Sequence, residues 1–190
     1  MLQPQRGVVL IIAMILLVVI SLLAITSIRS AGSTANVAGN VRITELATQA
    51  AEIALLHCES SILEVMTVES GSPSLYKTTF KLSNISPASS SPKWQDMATW
   101  DSTSTATYVL PLSLVNLSEA TGKASKTYQR PPECMVEPLP VMLAGGTTLD
   151  MKSSFLVTAR GFGPEVEAAD ASRSRPAGSE VWLQSNITIN

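Results

Sequence analysis

The stretch Met1-Leu-Gln-Pro-Gln-Arg6-Gly7-Val8-Val-Leu-Ile-Ile-Ala-Met-Ile-Leu-Leu-Val-Val-Ile-Ser-Leu-Leu-Ala-Ile-Thr-Ser-Ile28 decides how this chain is organised. A short polar leader ends in Arg6-Gly7, and the 21 residues from Val8 to Ile28 carry no charge. At roughly 1.5 Å of rise per residue that run makes about 30 Å of helix, enough to cross a bilayer core. A secretory signal has a shorter apolar core with a small-residue cleavage site behind it. Here the polar segment stands in front, and the helical pattern does not stop where the apolar run ends.

Beyond Arg29 the period persists. Ala47, Ala51, Ala54, Cys58, Ile62 and Val65 recur three or four apart, as one helix face requires. Arg42, Glu45, Gln49, Glu52 and Glu59 fall on other faces. No proline interrupts Val8 to Pro73, and Ser70-Gly71-Ser72-Pro73 is the first good stop signal. The reading is one helix from about Val8 to about Met66, close to 90 Å long. Gly32 and Gly39 each cost about 1 kcal/mol relative to Ala in a helix, which makes them points of bending. The alternative is two helices broken near Ala31-Gly32-Ser33.

After Pro73 the pattern changes to short strands and loops. Tyr76–Leu82 alternates apolar and polar residues as a half-buried strand does, and Ile85–Ser91 is a Ser/Pro loop. Trp94–Trp100 suits a short helical turn, and Tyr128–Glu137 leads into a strand. Phe155–Gly161 and Glu180–Ile189 are the best strand candidates, separated by a polar loop from Gly163 to Gly178. Strands joined by loops, with no long helices between them, predict an antiparallel sheet rather than βαβ units. That sheet needs a cover for its apolar face, and the distal half of the long helix is the obvious one. The fold class is α+β, with the first half of the helix in a membrane and the rest packed on a small antiparallel domain.

Composition narrows the function. Removing the apolar segment from 190 residues leaves roughly 160, one small to medium domain. Net charge is -2, and no basic cluster exists to bind phosphates, so nucleic acid is not an expected partner. Nine aromatic residues in a Ser-, Thr- and Pro-rich remainder suit a thin, β-rich, well-solvated domain.

The thiols are Cys58 and Cys134, and the single histidine is His57. No second Cys or His stands at ligand spacing from either cysteine, so no metal is expected. His57 and Cys58 point about 100° apart on a helix, which does not suit a nucleophile and its base. If the domain is exported, the two cysteines form a disulfide more often than they remain free. Its closed loop of about 75 residues is worth roughly 4 to 5 kcal/mol in the chain-entropy account.

Other motifs are weak. Ser74-Leu-Tyr-Lys77 and Ser90-Ser-Pro-Lys93 match Ser-x-x-Lys, a chance match in a Ser-rich chain without a companion Lys-Thr-Gly. Glu165, Glu167, Asp170 and Glu180 lack the spacing and glycine of an EF-hand and read as a solvated loop face. The sequons at Asn84, Asn116 and Asn186 are short matches that carry little weight by themselves. Arg160 reads as sheet surface and Trp182 as core. No convergent acid, base and nucleophile is visible, so the chain is not expected to be an enzyme and needs no cofactor.

Ala38-Gly39-Asn40-Val41-Arg42, followed by Leu46-Ala-Thr-Gln49-Ala50-Ala51-Glu52-Ile-Ala-Leu55, resembles the N-terminal helix of PilX-type minor pilins of bacterial type IV pili. Trp94–Trp100, Pro131-Pro-Glu-Cys134-Met-Val-Glu137, and Val157–Phe162 leading to Val181–Ser185 are similar to the rest of that family. The resemblance implies a prepilin leader at 1–7, a membrane and filament-core helix at 8–28, its continuation at 29–70 and an extracytoplasmic domain at 71–190. A prepilin peptidase would cut between Gly7 and Val8. The protein would sit in the inner membrane as a single pass, its C-terminal domain in the periplasm, and then enter the pilus fibre or its tip.

One position departs from the pilin pattern. Most pilins place a glutamate five residues past the cleaved glycine, where this chain has Ile12. In the family that carboxylate is thought to pair with the preceding subunit's N-terminal amine, which would set filament register, since an unpaired charge in an apolar bundle is costly. A subunit with Ile12 presents only its own amine at Val8, which suits the first subunit of a filament; the plainer reading is lipid-facing bulk. The resemblance implies a structural role in pilus assembly with other minor pilins, in a tip or priming complex and with a PilY-type tip adhesin. A type II secretion pseudopilin, a single-pass anchored binding domain and an extracytoplasmic enzyme are the competing readings.

Overall fold

The computed structural model describes residues 6–67, 80–89, 91–116, 127–142, 149–150 and 152–189. The chain divides into two compact units, Met1–Arg42 and Ile43–Asn190. Helix α1 runs from Arg6 to Thr67 without the break considered near Ala31-Gly32-Ser33. In the first unit its side chains are exposed throughout, from Val9 onward.

In the second unit the rest of α1 packs on a sheet. Ala47, Ala50, Ala51, Ala54, Cys58 and Ile62 are buried, the three-and-four spacing read from the sequence. The strands in chain order are β1 (Thr107–Val109), β2 (Glu133–Pro138), β3 (Val141–Met142), β4 (Leu149–Asp150), β5 (Ser154–Phe162) and β6 (Glu180–Thr188). One sheet has the order β1-β2-β5-β6 with every pair antiparallel, and β3 and β4 form a separate antiparallel pair. The fold is α+β, a long N-terminal helix with a small antiparallel sheet.

Side-chain alternation along the central strands sorts two layers. Cys134 and Val136 on β2, with Phe155, Val157 and Ala159 on β5, join Ala54, Cys58 and Ile62 of α1 in the main core. The intervening residues Glu133, Met135, Thr158 and Arg160 lie on the opposite face. That face is covered too. A turn at Lys93–Gln95 and the short helix α2, Met97–Trp100, bring Trp100 onto Met135, with Trp94 and Trp182 alongside. The Glu137 carboxylate accepts from the N–H groups of Lys93 (2.9 Å) and Trp94 (3.1 Å), which fastens this segment to β2.

Several expectations change at the level of elements. Most of the strand read at 76–82 lies outside the described residues, which resume at Phe80, and Leu82–Asn84 is a 3-10 turn. The stop signal at 70–73 also lies outside them; α1 is described to Thr67. Strand β1 has no counterpart in the sequence reading, because Thr107-Tyr-Val109 is too short to show a period.

Candidate functional site

Helix α1 carries the first candidate site. Its initial turn contains Arg6, Gly7 and Val8, and Ile12 follows, half exposed, in a run of apolar side chains open from Val9 to Ile28. Each such side chain buried is worth about 1.5–3 kcal/mol, so a run of this length gains considerably by leaving water. Hydroxyls within it turn back on the helix: Ser21 Oγ donates to the Leu17 carbonyl (2.7 Å) and Thr26 Oγ1 to that of Leu23 (2.9 Å). The helical backbone and these side chains are thus paired internally, as a bilayer demands. The segment is long and apolar enough to cross a membrane.

The residues of the helix motif divide by burial. Ala38, Gly39, Asn40 and Arg42 are exposed, as are Gln49 and Glu52, while Ala50 and Ala51 are buried. Gln49 Nε2 donates to Glu45 Oε1 at 3.3 Å. The small residues have a structural reason. A Cβ on Gly161 of β5 would overlap the Ala47 carbonyl oxygen and the Ala51 nitrogen, so helix backbone and strand backbone are in direct contact there. Only glycine opposite alanines permits that approach. Next to this seam the Tyr128 hydroxyl donates to the Leu46 carbonyl at 2.9 Å.

Cys58 of α1 and Cys134 of β2 are joined as a disulfide, with a Cα–Cα distance of 6.6 Å and both residues fully buried. His57 does not serve the cysteine; its ring stacks on Tyr108 at 5.9 Å, and burial pushes its pKa down.

The far face of the sheet holds what the sequence did not reveal. Arg160, read as sheet surface, is fully buried. Its Nη2 donates to Glu133 Oε2 (3.0 Å) and its Nη1 to Asp101 Oδ1 (2.8 Å). The guanidinium lies 5.4 Å from the Trp100 ring, 5.0 Å from Phe162 and 5.2 Å from Trp182. Arg173 also pairs with Glu133, and Arg130 Nε stands 3.8 Å from it. Arg130 Nη1 donates to the Ser174 carbonyl (3.1 Å). Burial lowers the Arg130 pKa while the Glu133 carboxylate opposes that shift. Three guanidiniums therefore converge on the buried Glu133 carboxylate, and Asp101 holds Arg160 from the other side, in a largely buried, aromatic-walled centre.

This centre anchors the loop 163–179. Arg173 adopts a left-handed backbone (φ 58°), which turns its side chain inward from an otherwise solvated loop. Of the four acids read from the sequence here, Glu167 is exposed and the other three are used locally. Glu165 accepts from the Ser179 N–H (2.7 Å) and hydroxyl, Asp170 from the Ser174 N–H (2.8 Å), and Glu180 from Trp182 Nε1 (2.8 Å). Among the described residues no three His, Cys, Asp or Glu side chains converge in a way that would hold a metal ion.

The apolar helix and the small-residue seam at its end are the features to compare with known proteins. Residues 6–55 match the PilX N-terminal family. The match takes in the Arg6-Gly7 junction, the apolar run and the whole helix motif through Leu55. No curated protein and no solved structure matches the chain. The matched segment is therefore similar to the N-terminal part of PilX-type pilus proteins, and its apolar helix is consistent with a membrane-anchored pilin.

Proposed function

We propose that this chain is a minor pilin that starts type IV pilus assembly and remains at the filament tip. The PilX N-terminal match over residues 6–55 carries the pilin reading, and Ile12 carries the position. In this reading a prepilin peptidase removes residues 1–7 and leaves Val8 as the mature N-terminus. The helix stays in the inner membrane with the C-terminal domain in the periplasm, then moves into the filament core.

With Ile12 the subunit offers no carboxylate to a subunit ahead of it, while its Val8 amine can neutralise a glutamate on the subunit that follows. A buried charge needs that partner, so the asymmetry favours a place with nothing ahead. Its partners are other minor pilins, with the PilY-type tip adhesin beyond them. N-terminal sequencing of membrane-extracted protein tests the foundation: the expected first residue is Val8. Gly7→Val should leave the full leader in place, because a side chain there crowds the peptidase. A native N-terminus at Met1 would instead favour an uncleaved single-pass anchor.

A further inference from the structure

We infer that the outer edge of β6 is a docking site for a β-strand supplied by a different polypeptide. The sheet order leaves β6, nine residues long, at one edge, whereas the opposite edge strand β1 has three. Its hydrogen-bond parity follows from two contacts in the same register. The Ile189 N–H donates to the Ser153 carbonyl (2.7 Å), and the Gly163 N–H to that of Ser179 (3.0 Å). In an antiparallel ladder such pairs alternate, so Val181, Leu183, Ser185 and Ile187 direct their backbone groups at β5. Trp182, Gln184, Asn186 and Thr188 direct theirs outward, where no partner meets them among the described residues.

Proteins blunt long edges with charges, prolines, bulges or a covering element. From Val181 to Ile189 there is no charged residue and no proline, and the pairing with β5 runs without a bulge from Glu180 to Thr188. A groove of about 560 Å³ flanks the edge at Trp182–Gln184, walled by Trp94, Met97 and Trp182. Gln184 Nε2 donates to Thr158 Oγ1 at 2.8 Å, which keeps that side chain beside the groove. An added strand would complete the ladder through its backbone and set an apolar side chain into the groove, the two contributions that define strand addition. A second copy of this chain fits poorly. Two-fold pairing of β6 with itself over its full length is centred on Gln184, which sets polar Asn186 and Gln184, and no apolar side chain, opposite the groove at Trp182–Gln184.

The inference does not depend on the tip assignment, and residue-resolved hydrogen exchange on the full chain in detergent tests it. The probe is a nonapeptide of alternating valine and threonine, matched to the length of β6. In the peptide-free protein the amides of Trp182, Gln184, Asn186 and Thr188 should exchange fast, and those of Leu183, Ser185 and Ile187 slowly. The peptide should slow the first set by at least about fivefold, the effect of one net hydrogen bond each. The same peptide N-methylated at alternate residues should leave them unchanged. Slow exchange of the outward set in the peptide-free monomer, or no slowing with the peptide, would overturn the inference. Slowing that rises with protein concentration alone would assign the edge to a second copy and overturn the choice of partner.

Discussion

Gly161 and Arg160 are neighbours on β5 and face opposite layers, so each reports on one of them. Gly161→Ala places a methyl group against the Ala47 and Ala51 backbone, which cannot yield as a flexible side chain would. Overpacking of this kind costs about 1–3 kcal/mol or more, and here it should also lever the strand from the helix. Denaturation of the full chain in detergent should show that loss, whereas Gly39→Ala, with open space around it, should be neutral or slightly stabilising. Equal effects at both glycines would contradict the seam. On the other layer, Arg160→Leu removes one partner of a buried pair, a change worth about 3–5 kcal/mol. Glu133 retains Arg173 and Arg130, so the lower end is expected. Glu133→Gln should cost more, because Glu133 is the carboxylate all three guanidiniums share, whereas Asp101 pairs with Arg160 alone. The reverse ranking would mean that the carboxylate is not what holds the centre.

At the scale of elements, the loop 163–179 is held by carboxylates, and this makes it sensitive to acid. Glu165 has a lowered pKa: burial works against that, but the Ser179 hydroxyl and N–H outweigh it. Asp170 is lowered by the Ser174 N–H first, with Ser172 adding to it. A depressed carboxylate pKa contributes stability that is present above the unfolded value and is lost as pH falls through the folded one. The loop should therefore be fastened at neutral pH and loosen below the ordinary carboxylate range. The Ser174 and Ser179 amides should lose protection there before those of β2 do. Simultaneous loss would show that loop and sheet open as one unit. The disulfide connects α1 to β2, and Cys134→Ala should destabilise the domain by about 2–5 kcal/mol, measured against the unreduced protein.

For the whole molecule, the question is where it stands in a filament. If it starts filaments, it should be scarce in sheared pili, and deleting it should reduce pilus number far more than pilus length. Ile12→Glu restores the carboxylate and should let the subunit enter along the shaft. A buried carboxylate is unfavourable unless the preceding subunit's amine neutralises it, so gain of incorporation would demonstrate the pairing. Wild-type protein spread evenly along pili would defeat the tip position and leave the pilin reading standing.

The N-terminal helix, its inward face from Ala47 to Ile62, and the main strands β5 and β6 were legible in the chain itself. Each rests on a period of one-dimensional hydrophobicity, which local sequence carries in full. The cysteine pairing was legible only through the compartment it would occupy, and the structure supplies it by setting Cys58 over β2. The second layer was not legible. Arg160 reads as surface because alternation marks the face away from the helix, and nothing local says that a second layer covers that face. Burial of Arg160 depends on Asp101, Glu133 and the Trp100 ring, all far from it in the chain, and the same Glu133 also takes Arg130 and the Arg173 that a left-handed turn sends inward. Which strand lies at the edge of the sheet is equally non-local. A strand's own residues state which way its side chains alternate, but its neighbours are chosen by the whole chain's packing.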